Sequence, residues 1–381
     1  MLKDFLNKKP LYYSEIDYTR MPRVYERISS FLPKPKIIHL IGTNGKGTTG
    51  RFLATALYNL GYRVGHYTSP HILKFNERVW HDGKNITDIQ LEQTHKKLQK
   101  ILTKQESESL SYFEYTTFLA ILFFKECEFV VLEAGLGGEH DGTAVFDKEL
   151  TLVTTIDIDH KSFLGETIEQ IATTKLHAMQ KNLILGKQKF DKIEKIALEI
   201  AKKKGTNLYI YDELLSSDDV SKIEQIAQKI DLVPYLVENL KLAVSALRFL
   251  DIEYGVQHFE NSKLFGRLSR VDKNILVDVG HNPLAAKSIL KALLGKRYIL
   301  VYNSYKDKDY KEILDILKPI IQHVEIIEID DERILSKELL QNALNSLEIK
   351  YTSFKNVDNE YEYLVFGSFS VVEQFLKVYS V

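Results

Sequence analysis

Directly after the β-branched run 36–41, the sequence places Gly42, Thr43, Asn44, Gly45, Lys46, Gly47 and Thr48. A strand, a glycine-rich turn, and a lysine with hydroxyls at a helix start suit a phosphate. Backbone N–H groups and the positive helix end can cradle it, and Lys46 can reach its outer oxygens. The spacing departs from G-x-x-x-x-G-K-[ST], because Gly42 and Gly45 are close together and Gly47 follows the lysine. The plain alternative is a glycine turn with no ligand, and the strand–turn–helix setting argues against it. Two more apolar runs end in acids: Glu133, followed by Gly135, Gly137 and Gly138, and the pair Asp157 and Asp159, followed by His160. A carboxylate at the end of a buried strand suits Mg²⁺, a hard cation that takes oxygen ligands and bridges nucleotide phosphates. The alternative for Glu133 is a helix cap or a surface acid. A lone histidine such as His160 is more often a hydrogen-bonded structural residue, and imidazole is not a favoured Mg²⁺ ligand. Further on, Asp278, Gly280, His281, Asn282 and Pro283 lie between a strand and a helix. Pro283 suits the first helical turn and Asn282 the cap; capping gives no reason for Asp278 and His281.

The elements that must position these groups follow from periodicity. Short apolar runs predict strands over 36–41, 63–66, 129–132 and 152–156, and amphipathic spacing predicts helices over 48–60, 88–103 and 116–125. This alternation implies βαβ units and a mostly parallel, doubly wound sheet buried on both faces, with ligands at the carboxyl ends of its strands. A helical stretch over 223–250 breaks near Pro234. Beyond Phe265, Gly266 and Arg267 the alternation restarts. Strands are expected over 275–277, 298–302, 324–327 and 363–366, and helices over 283–294, 310–317, 336–345 and 369–379. The expected fold class is therefore α/β, with domains at 1–264 and 265–381.

The chain of 381 residues fits two or three domains. Lys+Arg 51 against Asp+Glu 52 gives a net charge of −1, which excludes the broad positive face of a nucleic-acid-wrapping or membrane-surface protein. Any anionic ligand must be held by a local site. A hydrophobic share of 44% supports real cores and excludes bulk disorder. The single cysteine, Cys127, has no partner for an internal disulfide; the N-terminus has no apolar signal region, and the apolar run 118–124 is too short to span a bilayer. A cytoplasmic monomer is expected, with small-molecule substrates and no nucleic-acid or membrane partner.

Taken in order, these motifs resemble the folylpolyglutamate synthase/dihydrofolate synthase branch of the Mur-type ATP-dependent amide ligases. The resemblance rests on 42–48, Tyr67 to His71, Asn76 to Arg78, Tyr112 to Glu114, Glu133 to Gly138, Asp159 and His160, Phe265 to Arg267, Asp278 to Pro283, Asp307 to Asp309 and Phe366 to Ser368. It implies a P-loop ATP-binding domain followed by a Rossmann-like C-terminal domain that closes on the nucleotide. The loop Gly42, Thr43, Asn44, Gly45, Lys46, Gly47 and Thr48 would then hold the ATP phosphates. Ser69 and Glu133 would ligate one Mg²⁺, and His160 would help to hold a second. Lys175 matches a lysine that the family carbamylates, which would turn a cation into an anionic oxygen ligand; a solvated helix lysine is its plain alternative. Asn239 matches an adenine-side asparagine, and Arg267 and Asp278 match nucleotide contacts. Phe113, Glu114, Gly137, Gly138 and Asp141 would belong to the folate pocket. The implied reaction joins L-glutamate to dihydropteroate and to (poly)glutamylated tetrahydrofolate, the bifunctional reading being the expectation. ATP activates the acid as an acyl phosphate, ADP and phosphate are released, and His281 or solvent takes the amine proton. Glu139 stands where the family has Arg, Ala144 where it has Asn, and Thr174 where it has Glu; the changes at 139–144 fall in the loop expected to line the pterin pocket and bear on substrate range more than on ATP chemistry. The competing readings are a sister ligase for another acid, a nucleotide-hydrolysing switch, and an inactive homologue.

Overall fold

Fourteen strands among the described residues form two sheets. The computed structural model describes residues 1–9 and 17–379, the side chain of Ser162 excepted. The chain divides into one compact unit of Met1–Leu232 with Leu236–Ser262, and a second of Val233–Tyr235 with Lys263–Val381.

In the first unit the strands are β1 (Lys36–Ile41), β2 (Val64–Tyr67), β3 (Val79–His81), β4 (Lys84–Asn85), β5 (Phe129–Glu133), β6 (Leu150–Val153), β7 (Asn182–Leu185) and β8 (Asn207–Ile210), in the order β4-β3-β2-β5-β1-β6-β7-β8. From β2 to β8 in that order the pairing is parallel. Strands β3 and β4 add an antiparallel edge. The central strands are buried on both faces, as parallel strands must be when helices cover each side. Ile38, Leu40, Val131 and Leu152 pack on Phe52, Leu57, Leu240 and Leu247, whereas Ile37, Val130 and Leu132 pack on Phe118 and Leu119.

Two boundaries differ from the sequence expectation for physical reasons. The strand predicted over 152–156 stops at Val153, because the Thr155 carbonyl accepts from Thr43 N (3.0 Å) and Asn44 N (3.3 Å) instead of continuing a sheet ladder. The helix predicted from 116 starts at Tyr112, because Ser111 and Glu114 form a reciprocal capping box. Phe113 and Glu114 thus lie in a first helical turn. Helices Ile168–Leu176 and Asp191–Lys204, with strands β7 and β8, lie outside the expected set.

In the second unit β9 (Ser269–Asp272), β10 (Ile275–Asp278), β11 (Tyr298–Tyr302), β12 (Ile321–Ile326), β13 (Tyr351–Ser353) and β14 (Tyr363–Phe366) run in the order β13-β12-β11-β14-β10-β9. All neighbours are parallel except the β9–β10 pair. Leu300, Tyr302, Val324 and Leu364 form the floor on which Ile289, Ile313, Leu317 and Leu340 pack.

Candidate active site

The turn after β1 is braced from two sides. Thr43 Oγ1 donates to the Asp157 carbonyl at 2.9 Å and accepts from Asp157 N at 3.0 Å. On the other side, Asn239 Nδ2 donates to Thr49 Oγ1 (3.1 Å) and the Gly45 carbonyl (3.4 Å). Gly45 has φ 92°, and a Cβ there would lie 2.1 Å from Asn239 Nδ2, so the turn needs glycine for both its conformation and its space. Gly45 caps the helix Lys46–Asn59 without a side-chain hydrogen bond, which leaves the first helical N–H groups facing outward. Lys46 Nζ curls back on the turn, donating to the carbonyls of Gly42 (3.3 Å) and Thr43 (3.4 Å), and lies 3.8 Å from Glu133 Oε1. Thr48 Oγ1 is buried with no hydrogen-bond partner among the described residues. A buried hydroxyl without a partner is costly, and a cation or phosphate at the turn would satisfy it.

Glu133 ends β5 beside this turn. Its Oε2 accepts from Thr68 Oγ1 and, at 3.2 Å, from Ser69 N. Ser69 is thereby held by its backbone, and its hydroxyl makes no hydrogen bond among the described residues. Lys175 arrives from the helix Ile168–Leu176, 4% exposed, and donates to the same Gly42 carbonyl at 3.0 Å. Burial first and then the neighbouring Lys46, against the opposing Asp159 and Asp141, lower its pKa to about 7. His160 adopts a left-handed conformation (φ 52°) ahead of the short helix Lys161–Leu164, with Nε2 4.0 Å from Asp159 Oδ2. Among the described residues no three His, Cys, Asp or Glu side chains converge as a metal cage. The donors present are one carboxylate and the hydroxyls of Ser69 and Thr48. That set fits a hard cation that keeps waters and takes the rest of its shell from phosphates.

The structure gives two of the expected substrate residues internal partners. Asp141 is buried; its Oδ2 accepts from Gly135 N (2.9 Å) and Leu136 N (2.8 Å), and its Oδ1 from Thr143 N (2.9 Å) and Thr143 Oγ1 (2.5 Å). It shapes the glycine loop, and both of its oxygens are already engaged. Glu114 Oε2 accepts from Ser111 N (2.7 Å) and from Arg20 Nε (2.8 Å), a buried ion pair. Phe113 remains at the loop, packed over Gly135, with the Tyr67 ring 5.8 Å away. Gly137 has φ 73°, and Gly138 lies so close to Lys175 that a Cβ would be 2.4 Å from the Lys175 carbonyl oxygen. Two of the family departures touch: Glu139 N donates to the Thr174 carbonyl at 3.1 Å, and the Glu139 carboxylate lies 3.5 Å from His177 Nδ1. Ala144 contributes its carbonyl to Lys148 Nζ at 3.0 Å.

In the second unit Asp278 ends β10, buried, with Oδ2 accepting from Leu268 N (2.8 Å) and Tyr235 Oη (2.9 Å) and Oδ1 from Gly280 N (2.7 Å). Burial raises its pKa, opposed first by Arg267 and then by these donors. The Arg267 guanidinium lies over the Phe369 ring at 5.6 Å and donates to the Gly266 carbonyl. His281 Nδ1 is 3.1 Å from the Val279 carbonyl. Sequence reasoning missed Thr68 and the Thr155–Asp157 brace. Nothing local to those residues marks them, since their partners come from other strands.

No family model matches the chain. A curated dihydrofolate synthase/folylpolyglutamate synthase of Haemophilus influenzae is 30% identical over 424 residues, which cover 98% of this chain and 96% of the relative. The crystal structure of Helicobacter pylori folylpolyglutamate synthetase matches with a TM-score of 0.80 at 38% identity, covering 100% of this chain and 98% of that one. The bifunctional folylpolyglutamate synthase/dihydrofolate synthase of Yersinia pestis, complexed with AMPPNP and a Mn ion, matches with a TM-score of 0.84 at 25% identity, covering 99% and 96%. With a glycine turn and a helix start without a side-chain cap after β1, and this likeness over nearly its whole length, the chain belongs to the dihydrofolate synthase/folylpolyglutamate synthase family.

Proposed function

We propose that the protein is an ATP-dependent ligase that joins L-glutamate to dihydropteroate, to an already glutamylated folate, or to both. The observation that carries this reading is the convergence of Lys46, Lys175 and Glu133 on one turn whose Thr48 hydroxyl is buried without a partner among the described residues. A carboxylate is a poor acyl donor because its leaving group would be oxide. Attack of its oxygen on the γ-phosphorus of ATP breaks the bridge to ADP and gives an acyl phosphate. The glutamate amine then attacks the carbonyl carbon, phosphate departs, and the amine proton passes to His281 or solvent.

The residues contribute positioning and charge. The outward N–H groups of 45–48 hold the triphosphate, and Lys46 leaves its two loop carbonyls for the outer phosphate oxygens. Glu133, Ser69 and Thr48 hold Mg²⁺, with His160 serving a second ion; when bound, these ions neutralise charge between the phosphates and the acid. Lys175, with its pKa at about 7, is substantially neutral at physiological pH and can add CO₂ to become an anionic carbamate. Asn239 keeps the turn in shape. Because the oxygens of Asp278 are already engaged, it positions the loop 278–282, and Arg267, whose guanidinium donates only to the Gly266 carbonyl among the described residues, is the nucleotide contact. Phe113, Gly137 and Gly138 line the pterin pocket, and Glu114 and Asp141 give that pocket its form. No helix among the described residues is long and apolar enough to cross a membrane; we assign the protein to the cytoplasm as a monomer.

The test is ADP release by the purified protein offered dihydropteroate or tetrahydrofolate, with and without L-glutamate. Release that requires both acid and glutamate is expected. Turnover without either would establish a nucleotide switch instead, and turnover only with UDP-muramyl acids would establish a sister ligase.

A further inference from the structure

Arg78, at the end of the short turn Phe75–Arg78, is 9% exposed and has no carboxylate within ion-pair reach among the described residues. Its Nε donates to His71 Nδ1 at 2.9 Å, which can only be a lone pair since the guanidinium has no acceptor. Its guanidinium lies 5.3 Å from the centre of the Tyr112 ring and 5.9 Å from that of Phe75. The nearest acid in sequence, Glu77, is already engaged by the N–H groups of Ile72, Leu73 and Lys74 at 2.7, 2.9 and 2.8 Å. The terminal nitrogens of Arg78 therefore meet no acceptor among the described residues. These nitrogens are not among the buried unpartnered atoms, so the fork is open to a ligand, and an anion there would gain charge-assisted hydrogen bonds in a largely buried setting.

Its position indicates which anion. The Arg78 carbonyl accepts from Thr68 N at 2.9 Å, and Thr68 Oγ1 donates to Glu133, so Arg78 lies one residue pair from the proposed metal ligands. On its other side, Tyr112 is followed by Phe113, which packs over Gly135 of the glycine loop. A planar cation flanked by aromatic rings suits an aryl carboxylate, with the fork binding both oxygens and the rings flanking the arene. Resting on the ligase reading above, we propose that Arg78 is a specificity-determining residue that binds the carboxylate of the pterin acid, not that of L-glutamate. His71 and Tyr112 hold its side chain in place.

The experiment compares the full-length wild type with Arg78→Gln and Arg78→Lys, with initial rates varied in each substrate. Loss of one charge-assisted contact predicts a KM for dihydropteroate raised about tenfold or more in Arg78→Gln, with the KM values for ATP and L-glutamate within about twofold. Arg78→Lys, which keeps charge without the fork, should fall between. Intrinsic fluorescence gives a second readout. Wild type should bind dihydropteroate more tightly than its carboxamide analogue, which keeps the pterin and the arene and lacks only the charge, and Arg78→Gln should lose that preference. An unchanged KM for the acid, a rise in the KM for L-glutamate alone, or an equal rise in all three would overturn the assignment. Should Arg78→Gln fail to fold, a circular-dichroism-intact Arg78→Lys with unaltered KM for the acid would overturn it equally. If wild type turns over no pterin acid, it is the ligase reading that fails.

Discussion

Two loops of this chain share one topology and dispose of their polar groups in opposite ways. Both run from a strand with a parallel neighbour through glycine into a helix: β1 into Lys46–Asn59, and β10, which pairs parallel with β14 and antiparallel with β9, into Pro283–Leu293. In the second, Asn282 Oδ1 accepts from Ala285 N at 2.9 Å, Pro283 removes one N–H at the first turn, and Asp278 takes three donors from its surroundings. In the first, the helix starts on a glycine with no side-chain cap, the Thr48 hydroxyl is buried with no partner among the described residues, and Lys46 rests on two long contacts to its own loop. A strand–turn–helix shape is therefore not in itself a phosphate site. The proposed site is the loop whose donors are left open among the described residues.

The comparison breaks most visibly at Lys46. Lys46→Ala should lower glutamate-dependent ADP release by about 10³-fold or more, as expected for loss of a preorganised cation, with little change in thermal midpoint. Substantial residual turnover would remove the first loop from the chemistry. Thr48→Val sharpens the contrast from the other direction. Turnover should fall by about 10–100-fold, yet stability should hold or rise, because valine deletes a hydroxyl that has no partner. A stability loss of more than about 1 kcal/mol would mean that the hydroxyl is already satisfied in the free protein.

Lys175 adds a pH dependence to the same loop. Its ordinary pKa of 10.5 is lowered to about 7 in the fold, chiefly by burial. Between those values the unfolded chain binds more protons than the folded one, so stability rises with pH across that window and is level below it. In CO₂-free buffer, urea titrations of Lys175→Met should lack this slope, and the variant's advantage should be largest at pH 7 and below. With ¹³C-bicarbonate, a carbamate resonance should appear at pH 8, fade toward pH 6, and be absent from Lys175→Arg; a resonance that persists in the arginine variant would place the carbamate elsewhere.

What was legible in the sequence divides along the range of the interactions. The run 36–48 reads correctly as strand, turn and helix because its apolar periodicity, glycines and helix start are all local. Asn282 and Pro283 read as a cap for the same reason. The end of β6 was not legible, since the Thr155 carbonyl is taken by Thr43 and Asn44, more than a hundred positions away in the chain. Asp141 and Glu114 looked like ligand-facing acids, but the turn N–H groups that fill Asp141, and Arg20, which fills Glu114, become neighbours only in the folded chain. Arg78 was visible as part of a motif. Its lack of a counter-charge is a property of the fold, because Glu77 beside it is used by backbone.

The smallest effect separates the two loops most cleanly. Asn282→Ala removes the only side-chain cap of Pro283–Leu293 that the structure shows, leaving Ala285 N without its acceptor. The expected cost is about 1 kcal/mol of stability, the usual value of a cap, read as a shift in the urea midpoint at unchanged m-value. Gly45 has no such bond to lose, so replacing it acts through strain and crowding against Asn239 instead. Adding a non-hydrolysable ATP analogue should stabilise the wild type and Asn282→Ala by the same increment, since the first loop gains its missing partners from the nucleotide while the second already has its own. If Asn282→Ala instead lost most of that increment, the cap would belong to the nucleotide site and the contrast between the loops would collapse.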